Sequence, residues 1–191
     1  KKMEKIDEMF LEKLNIMVEN STKSFLEYEY SKVKDEVERF FWNTFCDNYL
    51  EIVKKRIYNE KGDKKKSAQY ALYQGILKIT KIFAPIIPFT TEEIYQEYFK
   101  KQEKEKSIHL SEWPEKEKTT IKEKDNKFVL FVEILSKIRQ EKTLAKKAMN
   151  SEVILTLEKE TVKELKELLE DMKAVINARE IKEGKFSVEF L

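Results

Sequence analysis

Phe41–Glu51 reads FWNTFCDNYLE, and this stretch predicts more about the fold than any other part of the chain. At about 100° per residue, as in an α-helix, its apolar side chains fall on one half of the helix and its polar side chains on the other. The apolar arc consists of Phe41, Trp42, Phe45, Cys46, Tyr49 and Leu50. The polar arc consists of Asn43, Thr44, Asp47, Asn48 and Glu51. An apolar arc this wide is typical of a central helix packed against several neighbours, so we expect Trp42 and Cys46 in the core.

The polar arc has two interpretations. It can be the solvated face of a buried bundle helix, which is the commonest role of an amphipathic pattern. It can also be a binding surface, because amides and carboxylates hydrogen-bond to the edges of nucleic-acid bases. Lys54 and Lys55 continue this arc and are placed to hold phosphate beside it.

Helical periodicity extends from this stretch in both directions and predicts four helices. The first spans about residues 3–25, the second 31–58 and the third 64–83, and the fourth begins at a capping box, Thr90–Glu93. With only three glycines and three prolines in the chain, the helices should be long and the loops short. Residues 1–118 are therefore predicted to form a four-helix bundle.

Residues 119–191 have a different pattern, which predicts a C-terminal helix plus a small α/β subdomain. The predicted elements are a helix at about 125–148, a strand at Val153–Leu157, a helix opened by a capping box at Thr161–Glu164, and strands at 175–181 and 186–190 joined around Glu183-Gly184. The predicted fold class is mainly α, with a four-helix bundle followed by a small α/β unit of about three strands.

Charge and composition restrict the kind of protein this can be. Charged residues make up 39% of the chain, yet the net charge is only +2, so any surface for nucleic acid must be local. A single cysteine excludes an intrachain disulfide and a cysteine-cluster zinc site. No apolar run approaches the roughly 18 residues of a membrane span, and no signal peptide is recognisable, which predicts a cytoplasmic protein without a membrane partner. The chain opens with Lys1 inside a helical pattern, and we expect it to be a fragment of a larger protein.

The sequence offers no catalytic site. Its one histidine, His109, lies between Ile108 and Leu110 in a loop, where a structural role is expected. No nucleophile–histidine set can be assembled around it. Three glycines are too few for a phosphate-binding loop, and acidic residues alternate with lysine as on solvated helix faces. We therefore predict no catalytic residue, no metal site and no cofactor in this chain.

Two groups of cations are candidates for phosphate contacts. In the first, residues 54–66 carry seven cations against Glu60 and Asp63, a local charge of +5. The candidates are Lys54, Lys55, Arg56, Lys64, Lys65 and Lys66, followed on the third helix by Lys78 and Lys81. Residues 54–66 are either a solvated loop or a phosphate cradle for an RNA stem, whereas Lys78 and Lys81 are a separate pair three residues apart on a helix.

The second group lies on the helix predicted at about 125–148. Its members, Arg139, Lys142 and Lys146, continue an apolar stripe formed by Phe128, Phe131, Leu135 and Ile138. Either the helix extends beyond the core with a basic end suited to an RNA backbone, or it ends near Thr143. RNA contact and a solvated helix end both agree with this pattern.

The stretch W-x-x-F-C-D-x-Y-L-E, followed by Lys54 and Arg56, resembles the anticodon-binding helical domain of valyl-tRNA synthetases, and the archaeal-type enzymes in particular. The resemblance extends, in matching order, to Leu11–Val33, Ser67–Phe99 and Ser107–Glu115, so that it covers about two thirds of the chain. The isoleucyl, leucyl and methionyl enzymes share this bundle and are the nearest alternatives. A helical protein-interaction module without RNA affinity is the alternative from another class.

This resemblance implies partners and residue roles. The first partner would be a valine tRNA, bound at its anticodon stem-loop, with the cations above on its phosphates. Asn43, Asp47 and Glu51 would read base edges. Two class I signatures, a His-x-Gly-His stretch and a Lys-Met-Ser-Lys-Ser loop, do not occur in the sequence, so this chain is expected to lack the catalytic site. The parent ligase would use ATP and magnesium in an upstream catalytic domain, which is the second expected partner.

Overall fold

Helices occupy most of residues 5–103 in a computed structural model that describes residues 3–191. Helix α1 spans Lys5–Leu26, α2 Tyr30–Arg39, α3 Leu50–Asn59, α4 Asp63–Phe83, α5 Pro88–Ile94 and α6 Lys100–Glu103. π-Helical segments at Phe40–Tyr49 and Tyr95–Phe99 join α2 to α3 and α5 to α6 without a break. Four long helices therefore follow one another, as the sequence predicts.

The continuous helix of residues 30–59, which we call the central helix, packs against both halves of the protein. Its first part, α2, contacts α1 and α4. Its last part, α3, contacts α4 and also α9 (Leu169–Ile176), a helix of the C-terminal unit. Its middle part, Phe40–Tyr49, has the wider i→i+5 turn of a π-helix. Side chains in this part therefore point in directions different from those of an α-helix.

Because this segment is π-helical, some side chains do not lie on the apolar or polar arc predicted for them. The prediction that Trp42 is in the core is wrong, because its side chain is 55% exposed. Leu50, expected on the apolar arc, is 37% exposed, and Asn48, expected on the polar arc, is buried. The buried residues of this segment are Phe40, Phe45, Asn48 and Tyr49. The aromatic members of this set recur after five and four residues, a spacing that fits the wider turn and not a uniform α-helix.

Aromatic packing joins the π-helical segment to its neighbours. Phe10 of α1 stacks on Tyr49 with ring centroids 3.8 Å apart. The ring centroid of Phe45 lies 5.9 Å from that of Phe10. Gly75 of α4 leaves space for Phe45, since a Cβ at this position would come within 2.8 Å of the Phe45 ring. Helices α1 and α4 can therefore both approach the central helix closely.

The C-terminal part contains the predicted helix and the predicted α/β unit. Helix α7 spans Phe128–Leu144, β1 Val153–Leu157, α8 Lys159–Glu164, α9 Leu169–Ile176, β2 Ala178–Glu183 and β3 Ser187–Phe190. The strand order is β2-β1-β3, with β1 parallel to β2 and antiparallel to β3. The predicted fold class, mainly α with a small α/β unit of three strands, is confirmed.

Some predicted boundaries in this part change. β2 begins at Ala178 and not at 175, because α9 continues to Ile176 and ends at Asn177, whose φ of 56° is left-handed. β2 and β3 lie on opposite sides of β1, so the turn at Glu183-Gly184 does not make a hairpin. α7 ends at Leu144, which confirms the alternative in which this helix stops near Thr143.

Both predicted capping boxes are wrong as helix starts. α5 begins at Pro88, and the hydroxyl of Thr91 donates back to the carbonyl of Ile87 at 3.0 Å. Proline suits the first helical position, because its φ is already helical and it has no N–H that a cap would need to satisfy. α8 begins at Lys159, with Glu158 as an N-cap that makes no side-chain hydrogen bond.

The segment between α6 and α7 runs along α1. Asn15 exchanges two hydrogen bonds with the backbone of Glu117, at 2.9 and 2.7 Å, and Trp113 donates to Thr22 at 2.8 Å. The main hydrophobic core includes side chains from both sides of residue 118. The division of the chain into units 1–118 and 119–191 stays a prediction.

A buried ion pair joins α1 to α3. Arg56 donates from both terminal nitrogens to Asp7, at 2.9 Å to Oδ2 and 2.7 Å to Oδ1. The hydroxyls of Tyr49 and Ser67 also donate to Asp7, at 2.7 and 2.5 Å. Burial alone would lower the pKa of Arg56, but the hydrogen bond and the negative charge of Asp7 raise it above its ordinary value. The guanidinium therefore stays charged inside the protein.

Asp171 of α9 extends this ion pair to the C-terminal unit. Its Oδ1 lies 3.2 Å from Nε of Arg56, but the N–H is not aligned with that oxygen, and Nε has no hydrogen-bond partner among the described residues. Burial raises the pKa of Asp171 to about 6, although the charge of Arg56 opposes this shift. The contact between α3 and α9 thus contains a carboxylate whose burial is incompletely compensated.

The exposure of Trp42 implies that removing this side chain has a small effect on stability. Trp42→Ala should lower the free energy of unfolding by less than about 2 kcal/mol, because the side chain is already 55% exposed. Phe45→Ala, at a position only 2% exposed in the same segment, should lower it by about 3–5 kcal/mol. Urea unfolding of both variants measures the difference. A larger loss for Trp42→Ala than for Phe45→Ala would contradict the exposed position.

The raised pKa of Asp171 implies that this one group adds to the stability of the fold on acidification from about pH 7 to about pH 4.5. Below about pH 6 the folded protein holds a proton on Asp171, whereas the unfolded chain takes it up only near the ordinary value of 3.8. The contribution to the free energy of unfolding is on the order of 1–3 kcal/mol and is lost as the pH rises through 6. Urea unfolding at a series of pH values should show the wild type gaining stability relative to Asp171→Asn on acidification. Parallel profiles would mean that Asp171 titrates normally.

Candidate nucleic-acid interface

The polar face of the central helix borders three clefts, which together we call the groove, and the first of them lies between α7 and α9. Asn43, Asp47 and Glu51 are exposed and follow one another at intervals of four residues. Asp47 and Glu51 border a cleft of about 630 Å³, whose other walls include Arg139 of α7 and Val175 of α9. This part of the groove therefore brings two predicted base-reading residues together with two predicted phosphate contacts, Arg139 and Lys142.

Asn43 lies in a separate cleft of about 560 Å³, which is bordered by α7 and α1 and shares no lining residue with the first. Val129 and Val132 of α7 form an apolar wall, and Lys13 and Lys137 contribute cations at its edges. An unpaired base can stack on an apolar surface and hydrogen-bond to an amide beside it, so this cleft suits such a base.

At its far end the groove becomes basic and aromatic. Glu51 borders a third cleft, of about 300 Å³, together with Lys54, Lys55 and Tyr58. Lys54 pairs with Glu51 at 2.7 Å, an exposed contact of the kind that contributes little to stability. Tyr58 is 77% exposed. The polar face of the central helix is thus accessible from Asn43 to Tyr58.

Three of the cations predicted to contact phosphate have internal partners instead. Arg56 is buried in the ion pair described above. Lys78 is buried, pairs with Glu117 at 3.0 Å and donates to the carbonyl of Glu115. Lys142 is 1% exposed. These positions correct the sequence-based prediction, because a buried cation can reach a phosphate only by giving up such contacts.

Lys142 is the most enclosed of the three. Its ammonium donates to the carbonyls of Met149, Ser151 and Ile176, at 2.7, 3.0 and 2.8 Å. Burial lowers the pKa of Lys142 below its ordinary value. The side chain ties the last turn of α7 to the following loop and to the end of α9, so it holds two walls of the groove together.

The remaining cations differ in accessibility. Arg139 is half-buried and donates to Oδ1 of Asn48 at 3.0 Å and to the carbonyl of Asp47 at 2.9 Å. Lys81 is half-buried, with Nζ 3.8 Å from Glu103. Lys65 is half-buried, and the exposed candidates are Lys54, Lys55, Lys64, Lys66 and Lys146. A role of these residues on phosphate stays a prediction.

Sequence reasoning missed two residues of this region. Asn48 is buried and donates to the carbonyl of Asn43 at 2.6 Å, and Trp42 is exposed. One available signal was the run of three aromatic residues, Phe40–Trp42, which a single face of an α-helix cannot bury together. That run indicates an irregular or many-sided environment, but it does not specify a π-helical turn.

The other residue types that could carry chemistry are arranged as in a structural loop. His109 is exposed, and its Nε2 lies 4.0 Å from Oε2 of Glu92. That carboxylate accepts hydrogen bonds from the hydroxyl of Ser107 and the amide of Ile108. Within residues 3–191, no group of three or more histidine, cysteine or acidic side chains is arranged to hold a metal ion. The same part of the chain contains no helix long and apolar enough to cross a membrane.

Known proteins resemble this chain over most of its length. A family profile described as the anticodon-binding domain of tRNA ligase matches residues 7–157. The valine–tRNA ligase of Haloarcula marismortui is 39% identical over 109 residues, which are 57% of this chain and 11% of that protein. The valine–tRNA ligase of Pyrococcus furiosus is 34% identical over 141 residues, 73% of this chain and 16% of that protein. That of Ehrlichia ruminantium is 35% identical over 187 residues, 95% of this chain and 23% of that protein.

The residues that the family profile matches include the central helix and α7, whereas α9 lies outside them. The chain spans between 11% and 23% of the length of these three relatives. All four segments on which the resemblance was based lie within residues 7–157. This chain therefore belongs to the family of anticodon-binding domains of tRNA ligases.

Proposed function

We propose that this chain binds the anticodon stem-loop of a tRNA and forms part of a valine–tRNA ligase. Family membership supports the anticodon stem-loop as the ligand, and the valine–tRNA ligases among the relatives support valine as the amino acid. The observation that carries the proposal is the polar face of the central helix, where Asn43, Asp47 and Glu51 are exposed at intervals of about one turn and border two clefts beside α7.

In this proposal the groove reads unpaired bases. Asn43 can donate and accept hydrogen bonds, whereas the carboxylates of Asp47 and Glu51 only accept. A valine anticodon contains adenine and cytosine, whose amino groups are suitable donors. A carboxylate beside an RNA backbone is electrostatically unfavourable, so two exposed carboxylates in the groove favour a ligand with donors at that place. The apolar wall beside Asn43 offers a surface for stacking.

The phosphates would be held by exposed lysines at the end of the groove. Lys54 and Lys55 border its last cleft, and Lys64 and Lys66 are exposed at the start of α4, with the half-buried Lys65 between them. Because the pair between Lys54 and Glu51 is exposed, a phosphate can replace that carboxylate at little cost. Arg56, Lys78 and Lys142 do not belong to this proposed interface, since their charges are held inside the protein.

The ligase reaction itself would take place elsewhere in a larger protein. This chain carries neither nucleotide-site signature of class I synthetases and spans a minor part of its relatives. We infer that ATP, magnesium and the amino acid bind in an upstream catalytic domain that contacts this one, and that the protein works in the cytoplasm. The anticodon-binding domain of an isoleucyl, leucyl or methionyl enzyme is the nearest alternative.

A substitution of Asp47 tests whether this side chain hydrogen-bonds to an anticodon base. Asp47→Ala should reduce the preference for valine tRNA over the same tRNA with its middle anticodon base changed, by about 1–3 kcal/mol, because one base-edge hydrogen bond is lost. The dependence of affinity on salt should change little, since no phosphate contact is removed. Equilibrium titrations of both tRNAs at two salt concentrations give both quantities.

The matched control for this experiment is Asp35→Ala, which removes an exposed carboxylate from α2 outside the groove. It should leave the preference between the two tRNAs unchanged. If Asp47→Ala lowers the melting temperature and keeps the preference intact, Asp47 acts within the fold and not on a base.

Substitutions of Lys54 and Lys55 test whether these side chains contact tRNA phosphates. Replacing both by alanine should weaken binding to all tRNAs about equally and lower the slope of log affinity against log salt by about 1.4–1.8, the value for two lost phosphate contacts. Lys100 and Lys101 are an adjacent exposed pair on α6, and their double alanine variant is the control. An equal change of slope in both double variants would remove Lys54 and Lys55 from the interface.

A further inference from the structure

A chain of hydrogen bonds connects α7 to the backbone of two base-reading candidates. Arg139 donates from Nη1 to Oδ1 of Asn48 at 3.0 Å and from Nη2 to the carbonyl of Asp47 at 2.9 Å. Asn48 donates from Nδ2 to the carbonyl of Asn43 at 2.6 Å. We call the side chains of Arg139 and Asn48 the clamp. Both candidates in the π-helical segment have a backbone carbonyl that the clamp holds.

The clamp lies on a segment that needs support from outside the helix. π-Helical turns are rare and mostly occur as single turns, whereas this segment runs for ten residues, Phe40–Tyr49. On its buried side, Tyr49 stacks on Phe10 of α1. On its groove side, the clamp makes the contact. Without the clamp, the groove side would be free to relax towards an ordinary α-helical turn, which would rotate Asn43 relative to Asp47.

The same geometry argues against a phosphate contact by Arg139. Both terminal nitrogens of its guanidinium already donate within the protein. A phosphate that pulled the guanidinium away from Asn48 would leave Oδ1 of this buried side chain without that donor, which is unfavourable. The charges of Glu51 and Asp47 also act on Arg139, since they oppose the lowering of its pKa that burial causes. Its positive charge is therefore partly balanced before any ligand arrives.

We propose that Arg139 and Asn48 are positioning residues that hold Asn43 and Asp47 in the orientation needed for base reading. Helix α7 would then contribute to anticodon specificity without touching the RNA through Arg139. This inference rests on the proposed function, and it replaces the role first predicted for Arg139 as a phosphate contact.

The first experiment needs no RNA and uses the chain of 191 residues. Arg139→Met keeps the apolar stem but loses both donors, so amide hydrogen exchange at residues 43–52 should become at least about threefold faster. Asn48→Ala should have a similar effect, and the double variant should add little, because both side chains belong to one chain of hydrogen bonds. Lys101→Met, at an exposed lysine of α6, is the matched control and should leave exchange unchanged. Unchanged exchange in Arg139→Met would overturn the clamp.

The second experiment measures specificity with two probes, a valine tRNA transcript and the same transcript with its middle anticodon base changed. Arg139→Met should narrow the ratio of their dissociation constants on the order of tenfold, as for a lost base contact. The slope of log affinity against log salt should stay that of the wild type. Equal weakening for both transcripts, with a slope lowered by about one, would show a phosphate contact and overturn the proposal.

Arg139→Lys separates positioning from charge. Lysine keeps the positive charge, but its single ammonium does not reproduce the planar contact of two nitrogens with Asn48 and Asp47. We therefore expect Arg139→Lys to discriminate about as poorly as Arg139→Met, and full recovery by lysine would overturn the proposal. Circular dichroism checks that each variant folds. If Arg139→Met does not fold, Arg139→Lys carries both experiments.

The binding of the two transcripts to the wild type separates a failure of the proposed function from a failure of the positioning role. If it does not distinguish the two transcripts, the proposed function fails and the positioning role fails with it. If it distinguishes them and a folded Arg139→Met variant does so equally well, only the positioning role fails.

Discussion

The buried ion pair between Arg56 and Asp7 is the contact on which the arrangement of the helices depends. Removing one member of such a pair costs about 3–5 kcal/mol, because the other charge stays buried without compensation. The pair joins α3 to α1, while Tyr49, Ser67 and Asp171 connect it to the π-helical segment, α4 and α9. Since α9 is one wall of the groove, the ion pair that holds the bundle together also sets where that wall lies relative to the central helix.

The bundle could be predicted from the sequence because long amphipathic helices leave a clear period. The predicted second and third helices end within one residue of the observed ones. The same period placed Asn43, Asp47 and Glu51 correctly on the open face, but it failed for Trp42 and Asn48. A π-helical turn changes the number of residues per turn, and neither propensity nor hydrophobic spacing marks where it begins. The hydrophobic pattern therefore could not predict the π-helical part of the central helix.

The cations show a second limit of sequence reasoning. Charge patterns identify residues that could hold phosphate, but burial depends on partners far away in the chain. Arg56 and Lys78 meet theirs 49 and 37 residues away. For Lys142 the sequence did contain a signal, because the residue continues an apolar stripe, and the stripe faces the core. Its place on that stripe was a better guide than its charge, and the ammonium is satisfied by three carbonyls that no local pattern could reveal.

The strand order affects when the groove can be completed during synthesis. β1 is the central strand, yet both of its partners follow it in the chain, with Leu155 paired to Ile181 and to Val188. β1 therefore has no strand to pair with until the ribosome has passed α9 and reached β2. The contact from Lys142 to Ile176 waits for the same late segment. A nascent chain that has not reached residue 169 would hold the central helix and α7 but lack α9, so the groove is completed after the bundle that carries it.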